Sequence, residues 1–271
     1  MKYYGLLGNQ LSHSFSPTIH GNILKEIQIK GQYQLYQCEK EDLKKKLQEL
    51  QSMGMDGLNV TMPHKVDIME YLDEISQEAK KLNAINTISF KDGKTIGYNT
   101  DYYGFGMMLH REAVSIKNKK GLVLGTGGAS KAVVQYLLDS GIGEIIIVSR
   151  DILSAKEKYK GFQIINYDEI QGLKGYDMII NTTPCGMFPH TNQSPVKKDQ
   201  LSNFHTAIDL VYNPQETLFL KYAKEKGLKA INGLYMLVGQ AIKSQEIWNA
   251  IEIDQETCNK IYEDILSLSS R

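Results

Sequence analysis

The stretch Leu122-Val-Leu-Gly-Thr-Gly-Gly-Ala-Ser-Lys-Ala132 decides how the rest of the chain is read. The apolar run from Gly121 to Leu124 has the character of a buried parallel strand. It breaks into Gly125, Gly127 and Gly128, and an apolar-periodic helix follows from Ala129 to Leu138. A strand running through glycines into a helix turns backbone N–H groups and the positive helix end toward a pyrophosphate, so the stretch reads as a dinucleotide-binding turn. Gly125 would make the tight turn, and Gly127 would let the backbone approach the phosphates with no Cβ in the way. The GxGxxG pattern is here G-T-G-G-A-S, with Ser130 at its last position and small Ala129 beside it. Glycine-rich turns of this kind also occur with no ligand, so the motif is as strong as its surroundings.

Those surroundings alternate strand-like and helix-like segments, which argues for α/β architecture with mainly parallel sheets. Upstream, Tyr3–Leu7 reads as a first strand. Ser16-Pro17 opens a helix with serine as N-cap and proline at its first position. Tyr33–Cys38 is a strand, and Glu41–Met53 an amphipathic helix ending at Gly54. Leu58–Thr61 is a short strand leading to Pro63-His64-Lys65, and a helix is expected over about Glu74–Leu82. Ile85–Phe90 and Thr95–Tyr98 flank Lys91-Asp92-Gly93-Lys94, a hairpin turn.

Tyr102–Val114 reads as a bridging helix and Lys117–Lys120 as a solvated connector, so the change of domain falls here. Downstream, Glu144–Ser149, Met178–Thr182 and Ala207–Leu210 are strands, and Pro214–Lys226 is a helix with Gly227 just past its end. Two last helices cover roughly Tyr235–Asn249 and Asp254–Leu268. The first hundred residues lack closing helices of their own, so these should return to them. The domains are then 1–101, completed by about 236–271, and 102–235.

Composition sets outer limits. The 271 residues suffice for one large domain or two modest ones. Lysine plus arginine balance aspartate plus glutamate at 31 each, leaving no net field to draw in nucleic acid or an anionic membrane. No apolar stretch approaches the roughly 20 residues of a membrane helix. The start reads as a strand and not as a signal peptide. Cys38, Cys185 and Cys258 form neither a metal-spaced pair nor an even disulfide set. His20, His64, His110, His190 and His205 show no ligand spacing, so no metal is assigned. A cytoplasmic soluble protein acting on a small molecule is expected, as monomer or homodimer, since a subunit contact leaves no motif.

Polar residues cluster in the first domain. His13-Ser14-Phe15-Ser16-Pro17 places two hydroxyls around a helix start, where an anionic group is welcome. Ser16 could merely cap the helix, but Ser14 gains nothing from capping. Asn59-Val-Thr-Met-Pro-His-Lys65 puts Asn59, Thr61 and Lys65 at the C-terminal end of a strand, the edge where open α/β sheets bind ligands. Asn86-Thr87 and Asn99-Thr100-Asp101 each end an apolar segment. Either could serve only as a turn former. Lys65 and Asp101 would supply a cation and a carboxylate for proton transfer, provided that they meet.

Cofactor preference should be legible about 20 residues past the glycines, where an acid binds the ribose 2′-OH and an arginine a 2′-phosphate. The strand there ends in Val148-Ser149-Arg150-Asp151. Arg150 favours the phosphorylated cofactor, and Asp151 points the other way.

Together these pieces resemble the shikimate dehydrogenase family, from Gly8 to about Gln240. The residues carrying the likeness are His13–Pro17, Asn59–Lys65, Ala84-Ile-Asn-Thr87, Gly97-Tyr-Asn-Thr-Asp101, Gly125–Ala129, Asn181-Thr-Thr-Pro184 with Gly186-Met187, Asp209-Leu-Val-Tyr-Asn-Pro214, and Gly233-Leu-Tyr-Met-Leu-Val-Gly-Gln240. Each alone is unspecific, and eight in the family's order are very specific.

The resemblance implies an N-terminal α/β substrate domain, a Rossmann-type NADP-binding domain, and a cleft that closes around the reactants. It implies that Ser14 and Ser16 hold the substrate carboxylate, that Thr61, Asn86 and Gln240 bond its hydroxyls, and that Tyr212 lines the pocket. Lys65 and Asp101 would be the catalytic pair, with Asn59 in the Lys65 motif. Gly125, Gly127, Gly128, Ala129, Ser130, Ser149 and Arg150 match the NADP-binding stretch, and Thr182, Met187, Gly233 and Met236 match positions near the nicotinamide. The implied reaction is reversible reduction of 3-dehydroshikimate to shikimate by NADPH, a step of aromatic amino-acid (chorismate) biosynthesis.

The chain departs from the family at Gln10-Leu11, Gly21 and Ser149-Arg150-Asp151, and the last leaves cofactor choice open. A quinate/shikimate dehydrogenase using NAD would rest on Asp151. A non-catalytic dinucleotide-sensing module would have no need of both Lys65 and Asp101.

Overall fold

The computed structural model describes residues 1–12 and 14–269, so His13 of the His13–Pro17 stretch lies outside the described residues. Two compact units divide the chain, Met1–Gly104 with Val238–Arg271, and Phe105–Leu237.

The first unit runs through β1 (Lys2–Gly8), α1 (Ser16–Glu26), β2 (Gly31–Gln37), α2 (Leu43–Ser52) and β3 (Gly57–Val60). It continues with β4 (Glu74–Ile75), α3 (Gln77–Leu82) and the hairpin β5 (Thr87–Lys91) and β6 (Lys94–Tyr98). The strands lie in the order β2-β1-β3-β5-β6-β4. β1 is parallel to β2 and β3, whereas β5 is antiparallel to β3 and β6. Asp92 and Gly93 take φ of +51° and +78°, as a two-residue hairpin turn demands. β3 is buried along its whole length, so the chain beyond Val60 emerges at the end of a central strand.

The division between units falls inside α4 (Thr100–Arg111). The second unit then builds β7 (Lys120–Leu124), α5 (Gly128–Asp139), β8 (Glu144–Val148), α6 (Ile152–Lys158), β9 (Gln163–Ile165), β10 (Met178–Asn181), β11 (Thr206–Asp209), α7 (Leu218–Glu225) and β12 (Lys229–Ile231). All neighbouring strands are parallel, in the order β12-β11-β10-β7-β8-β9. Read from β9, this is the 3-2-1-4-5-6 order of a doubly wound dinucleotide fold, whose strand order reverses between β7 and β10. Leu122, Leu124, Ile146, Val148 and Ile179 are buried in its core, which is why these strands are nearly continuous apolar runs.

The chain closes with α8 (Leu234–Asn249) and α9 (Gln255–Ser269), which rejoin the first unit from Val238 onward, as expected. Trp248 of α8 stacks on Tyr4 with ring centroids 4.9 Å apart and donates its indole N–H to the Ile88 carbonyl (2.9 Å). A side chain on Gly57 would run into the indole, so glycine there lets the helix lie on β3. No helix among the described residues is long and apolar enough to cross a membrane.

Local structure departs from expectation in three places. The helix expected over Glu74–Leu82 begins only at Gln77, because Ser76 accepts the Ala79 N–H as its cap and Glu74–Ile75 pairs with β6 as a short edge strand. The helix expected from Pro214 starts at Leu218, where Thr217 accepts the Leu220 N–H, while Gly227 follows its end with φ +76°. Ser16 does not cap α1 with its side chain, since Phe15 is the N-cap residue and no side chain bonds there. Instead the Ser14 hydroxyl accepts the Ser16 N–H at 3.3 Å, so Ser14 has a local task after all. The three-residue strands β9 and β12 and the seven-residue α6 are too short to leave a periodic signal.

Candidate active site

At the end of β3 a turn closes with the His64 N–H on the Thr61 carbonyl (3.0 Å). The buried His64 ring anchors it, with Nε2 2.8 Å from the Cys38 carbonyl. Lys65 comes next, and its carbonyl accepts the Ile85 N–H at 2.8 Å, which fixes its backbone beside the start of β5. Its ammonium Nζ lies 2.6 Å from Oδ2 of Asp101, in the first turn of α4. The two side chains are 22% and 15% exposed, open enough to be reached yet shielded enough for their charges to act strongly. Lys65 and Asp101 therefore meet, although 36 residues separate them.

Asn86 completes the group. Its amide Nδ2 donates to Asp101 Oδ1 at 2.9 Å, and its Oδ1 accepts the Thr100 N–H at 2.7 Å. Asn59 donates to the Asn86 carbonyl (3.2 Å). The Tyr33 hydroxyl donates to Asn59 Oδ1 at 2.8 Å. Burial raises the Tyr33 phenol well above its ordinary pKa, so it stays a donor at any working pH. Tyr33, Asn59, Asn86, Lys65 and Asp101 are thus joined in one hydrogen-bonded assembly. Thr61 heads the turn, and half-buried Gln240 stands on α8 one turn before Ser244, whose hydroxyl donates to the Gln240 carbonyl. Of the two expected Asn-Thr pairs, Asn86-Thr87 and Thr100 enter this assembly. Asn99 turns away and donates to the Ala84 carbonyl.

The second unit offers a different surface. After β7, Gly125 takes φ +98°, and a Cβ there would sit 2.6 Å from Thr183 Cγ2. Gly127 and Gly128 are exposed, and a Cβ built on either meets nothing within 4 Å. The first N–H groups of the 12-residue α5 open into that space. Thr182 donates to the Leu124 carbonyl at 2.7 Å, tying the end of β10 to the end of β7 at the point where strand order reverses. An exposed glycine cradle at a helix start fits a pyrophosphate.

Other expected residues divide between surface and support. Arg150 is exposed just past β8. Ser149 bonds the Asp151 backbone, and Asp151 Oδ1 accepts the Ser154 N–H at 3.0 Å as the cap of α6. The acid that clouded cofactor choice is thus occupied by its own helix. Ser130 turns inward, donating to the Gly127 carbonyl (2.6 Å) and meeting the Tyr159 hydroxyl (2.5 Å), so it offers the cradle only backbone. Gly233 lets the chain pass against the Leu210 backbone, where a Cβ would clash. Met187 is 44% exposed and Met236 buried. Half-buried Tyr212 lies on the loop after β11.

Residues given no site role from sequence hold both surfaces. Asp209, wholly buried, accepts from Asn181 Nδ2 (2.9 Å), Thr217 Oγ1 (2.6 Å) and the Val211 N–H (3.0 Å), which pins the loop carrying Tyr212. Burial pushes its pKa up to about 6 against these bonds. Tyr33, Thr87 and Ser244 do the same for the first unit. The Asn-Thr repetition marked Thr87, whereas Ser244 lies in an unremarkable helix. Among the described residues no group of three or more His, Cys, Asp or Glu side chains could hold a metal ion.

Comparison with known proteins bears on family and fold. Residues 6–88 match the family model of the shikimate dehydrogenase substrate binding domain, and residues 108–208 that of shikimate / quinate 5-dehydrogenase. A shikimate dehydrogenase (NADP(+)) of Clostridium beijerinckii is 48% identical over 263 residues, covering 97% of each chain. A chorismate mutase/shikimate 5-dehydrogenase fusion protein from Clostridium acetobutylicum superposes with a TM-score of 0.97 at 48% identity, covering 100% of this chain and 99% of that one. A shikimate dehydrogenase in complex with NADP+ gives a TM-score of 0.89 at 37% identity, covering 97% and 95%.

Proposed function

The chain belongs to the shikimate dehydrogenase family, and we propose how its residues carry out that family's reaction. It is an NADP-dependent oxidoreductase that reduces 3-dehydroshikimate reversibly to shikimate in aromatic amino-acid biosynthesis. The observation that carries the mechanism is the shielded Lys65–Asp101 pair at the end of β3.

The first unit takes the substrate. Ser14 and Ser16 hold its carboxylate, and Thr61, Asn86 and Gln240 bond its hydroxyls with Asn59 behind them. NADPH, when bound, supplies the hydride that reduces the C3 carbonyl carbon. As negative charge grows on the C3 oxygen, the Lys65 ammonium faces it and gives the one proton that completes the alcohol. Lys65 is then reprotonated from solvent. Asp101 holds Lys65 in place and accepts a substrate hydroxyl, while Asn86 keeps the carboxylate turned.

In the second unit Gly125, Gly127, Gly128, Ala129 and the backbone of Ser130 would hold the cofactor's phosphates. Arg150 would take the 2′-phosphate with Ser149 beside it, and Thr182, Met187, Gly233 and Met236 would border the nicotinamide. Asp151 caps its own helix, which speaks against the quinate enzyme using NAD. A cytoplasmic enzyme is part of the same reading, supported by three free cysteines. So is a monomer or homodimer without a nucleic-acid partner, supported by the balanced charge.

The test is absorbance at 340 nm with purified protein, shikimate and NADP, repeated with NAD and with quinate. A rise confined to shikimate with NADP is expected. A comparable rise with NAD or quinate would shift the protein to the broader activity. No rise with any pair, from folded protein, would sink the enzyme reading.

A further inference from the structure

Behind Asp101 lie three wholly buried hydroxyls, Thr87, Thr100 and Ser244, which the mechanism above leaves without a role. Their protons can be assigned by elimination. The Thr100 N–H only donates, so the Asn86 atom 2.7 Å from it is the amide oxygen and the atom facing Asp101 is the amide nitrogen. Asp101 Oδ1 therefore accepts from Asn86 while Oδ2 accepts from Lys65, which sets the plane of the carboxylate. The Ser244 proton goes to the Gln240 carbonyl at 2.9 Å. Asn59 Nδ2 donates toward Thr87 Oγ1 and Ser244 Oγ, each at 3.0 Å. Thr87 Oγ1, accepting there, has its own proton free for Asn86 Oδ1 at 3.0 Å. It also sits 3.1 Å from Thr100 Oγ1 and 3.0 Å from Ser244 Oγ, so it touches every other member of the cluster.

Resting on the functional reading above, we propose that Thr87 is a positioning residue for the reaction. Its hydroxyl fixes the rotation of the Asn86 amide and through it the carboxylate plane of Asp101, and Ser244 bridges this support to the helix bearing Gln240. Buried networks of this kind hold one geometry when every member is satisfied and loosen when one hydroxyl is lost. With that hydroxyl missing, Asn86 Oδ1 keeps the Thr100 N–H at 2.7 Å and the Thr100 hydroxyl at 3.1 Å but loses its third donor, so the amide is held less tightly and Asp101 presents Oδ2 to Lys65 less squarely.

Thr87→Val keeps the shape and removes the hydroxyl, and Thr87→Ser keeps the hydroxyl and removes a methyl. Thr87→Val should lower kcat about ten-fold, the order of one transition-state hydrogen bond, and leave the KM for NADP unchanged. Thr87→Ser should return kcat to within about two-fold of the parent. A folded Thr87→Val enzyme as fast as the parent would overturn the proposal. So would a Thr87→Ser enzyme as slow as Thr87→Val, since that would make volume the cause. Should Thr87→Val not fold, Ser244→Ala takes its place, with a fall of about three-fold expected and an unchanged kcat overturning the proposal. If the parent protein itself shows no turnover, the functional reading falls separately. The crystal structure of the valine variant then decides: an Asn86 amide displaced from Asp101 supports the positioning role, and an unmoved one refutes it.

Discussion

At the end of β3, buried side chains from β3, β5, α4 and α8 lock Lys65 and Asp101 into one arrangement, whereas at the end of β7 the exposed surface is backbone cleared by glycines. The first depends on hydroxyls and amides being present and bonded to one another. The second depends on side chains being absent where a ligand must approach. The same protein should therefore fail in opposite ways when its two sites are altered. Polar substitutions in the first unit should disturb chemistry, and added carbon in the second should disturb binding while sparing the fold.

The largest effect is expected at Lys65. Lys65→Ala removes the cation facing the developing oxyanion, and kcat should fall about 10³-fold or more. The fold should survive, because the side chain is part-exposed and its surrounding turn is held by His64 and Ile85. Initial rates at 340 nm, with Trp248 fluorescence as the fold control, measure both. A loss smaller than about ten-fold would show that proton transfer does not run through this lysine.

Gly127→Ala comes next. Its φ of −76° suits alanine and the new Cβ meets nothing in the protein. Thermal stability should be unchanged while the KM for NADP rises about 10- to 100-fold, as the methyl occupies the pyrophosphate's approach. Gly125→Ala, at φ +98° and against Thr183, should instead lower stability. If Gly127→Ala leaves the KM unchanged, the phosphates do not lie on that glycine, and the second unit loses half of the contrast.

The two sites were unequally legible in the chain. The glycine stretch announced its strand, turn and helix within a residue or so, because all the determinants are local. The residue types around Lys65 and Asp101 were visible, but their meeting was not. The β5–β6 hairpin was announced by its turn, but the meeting also needs β3 to pair with β5, and that pairing leaves no trace in spacing. Ser244 was invisible for the same reason, standing 157 residues from Thr87 in an ordinary helix. That Asp151 caps a helix was not legible, because α6 is only seven residues long and leaves no periodic signal.

The contrast extends to pH. His20 is buried in the first unit between Tyr33 and Trp248, with Gln245 on Nδ1, and burial lowers its pKa to about 3. A depressed folded pKa means that the neutral ring's stabilisation is complete above pH ~6.5 and drains as pH falls toward 3. Asp209 in the second unit is raised to about 6, so its stabilisation grows as pH falls through 6 toward ~3.9. Between pH 6.5 and 5 the first unit should lose about 2 kcal/mol and the second gain about 1 kcal/mol. Trp248 is the chain's single tryptophan and lies in the first unit, so its fluorescence in urea follows that unit. The fluorescence midpoint should drop over this window, above the usual carboxylate titrations, and His20→Gln should flatten the drop. An equal drop in both proteins would assign the acid sensitivity to another group.

The smallest expected change is at Asp151, and it bears on what the second unit recognises. As the cap of α6, Asp151 stabilises by about 1 kcal/mol, which Asp151→Ala should lose and Asp151→Asn should largely keep. Neither variant should change the ratio of kcat/KM for NADP over NAD, because the proposed reading gives the phosphate to Arg150 and the aspartate caps its own helix. Rates with both cofactors and a urea titration of each variant measure the two effects separately. A ratio that moves ten-fold without a matching loss of stability would put the Asp151 carboxylate at the ribose. Cofactor choice would then rest on a side chain of each sign, and the second unit would depend on placed polar groups much as the first does.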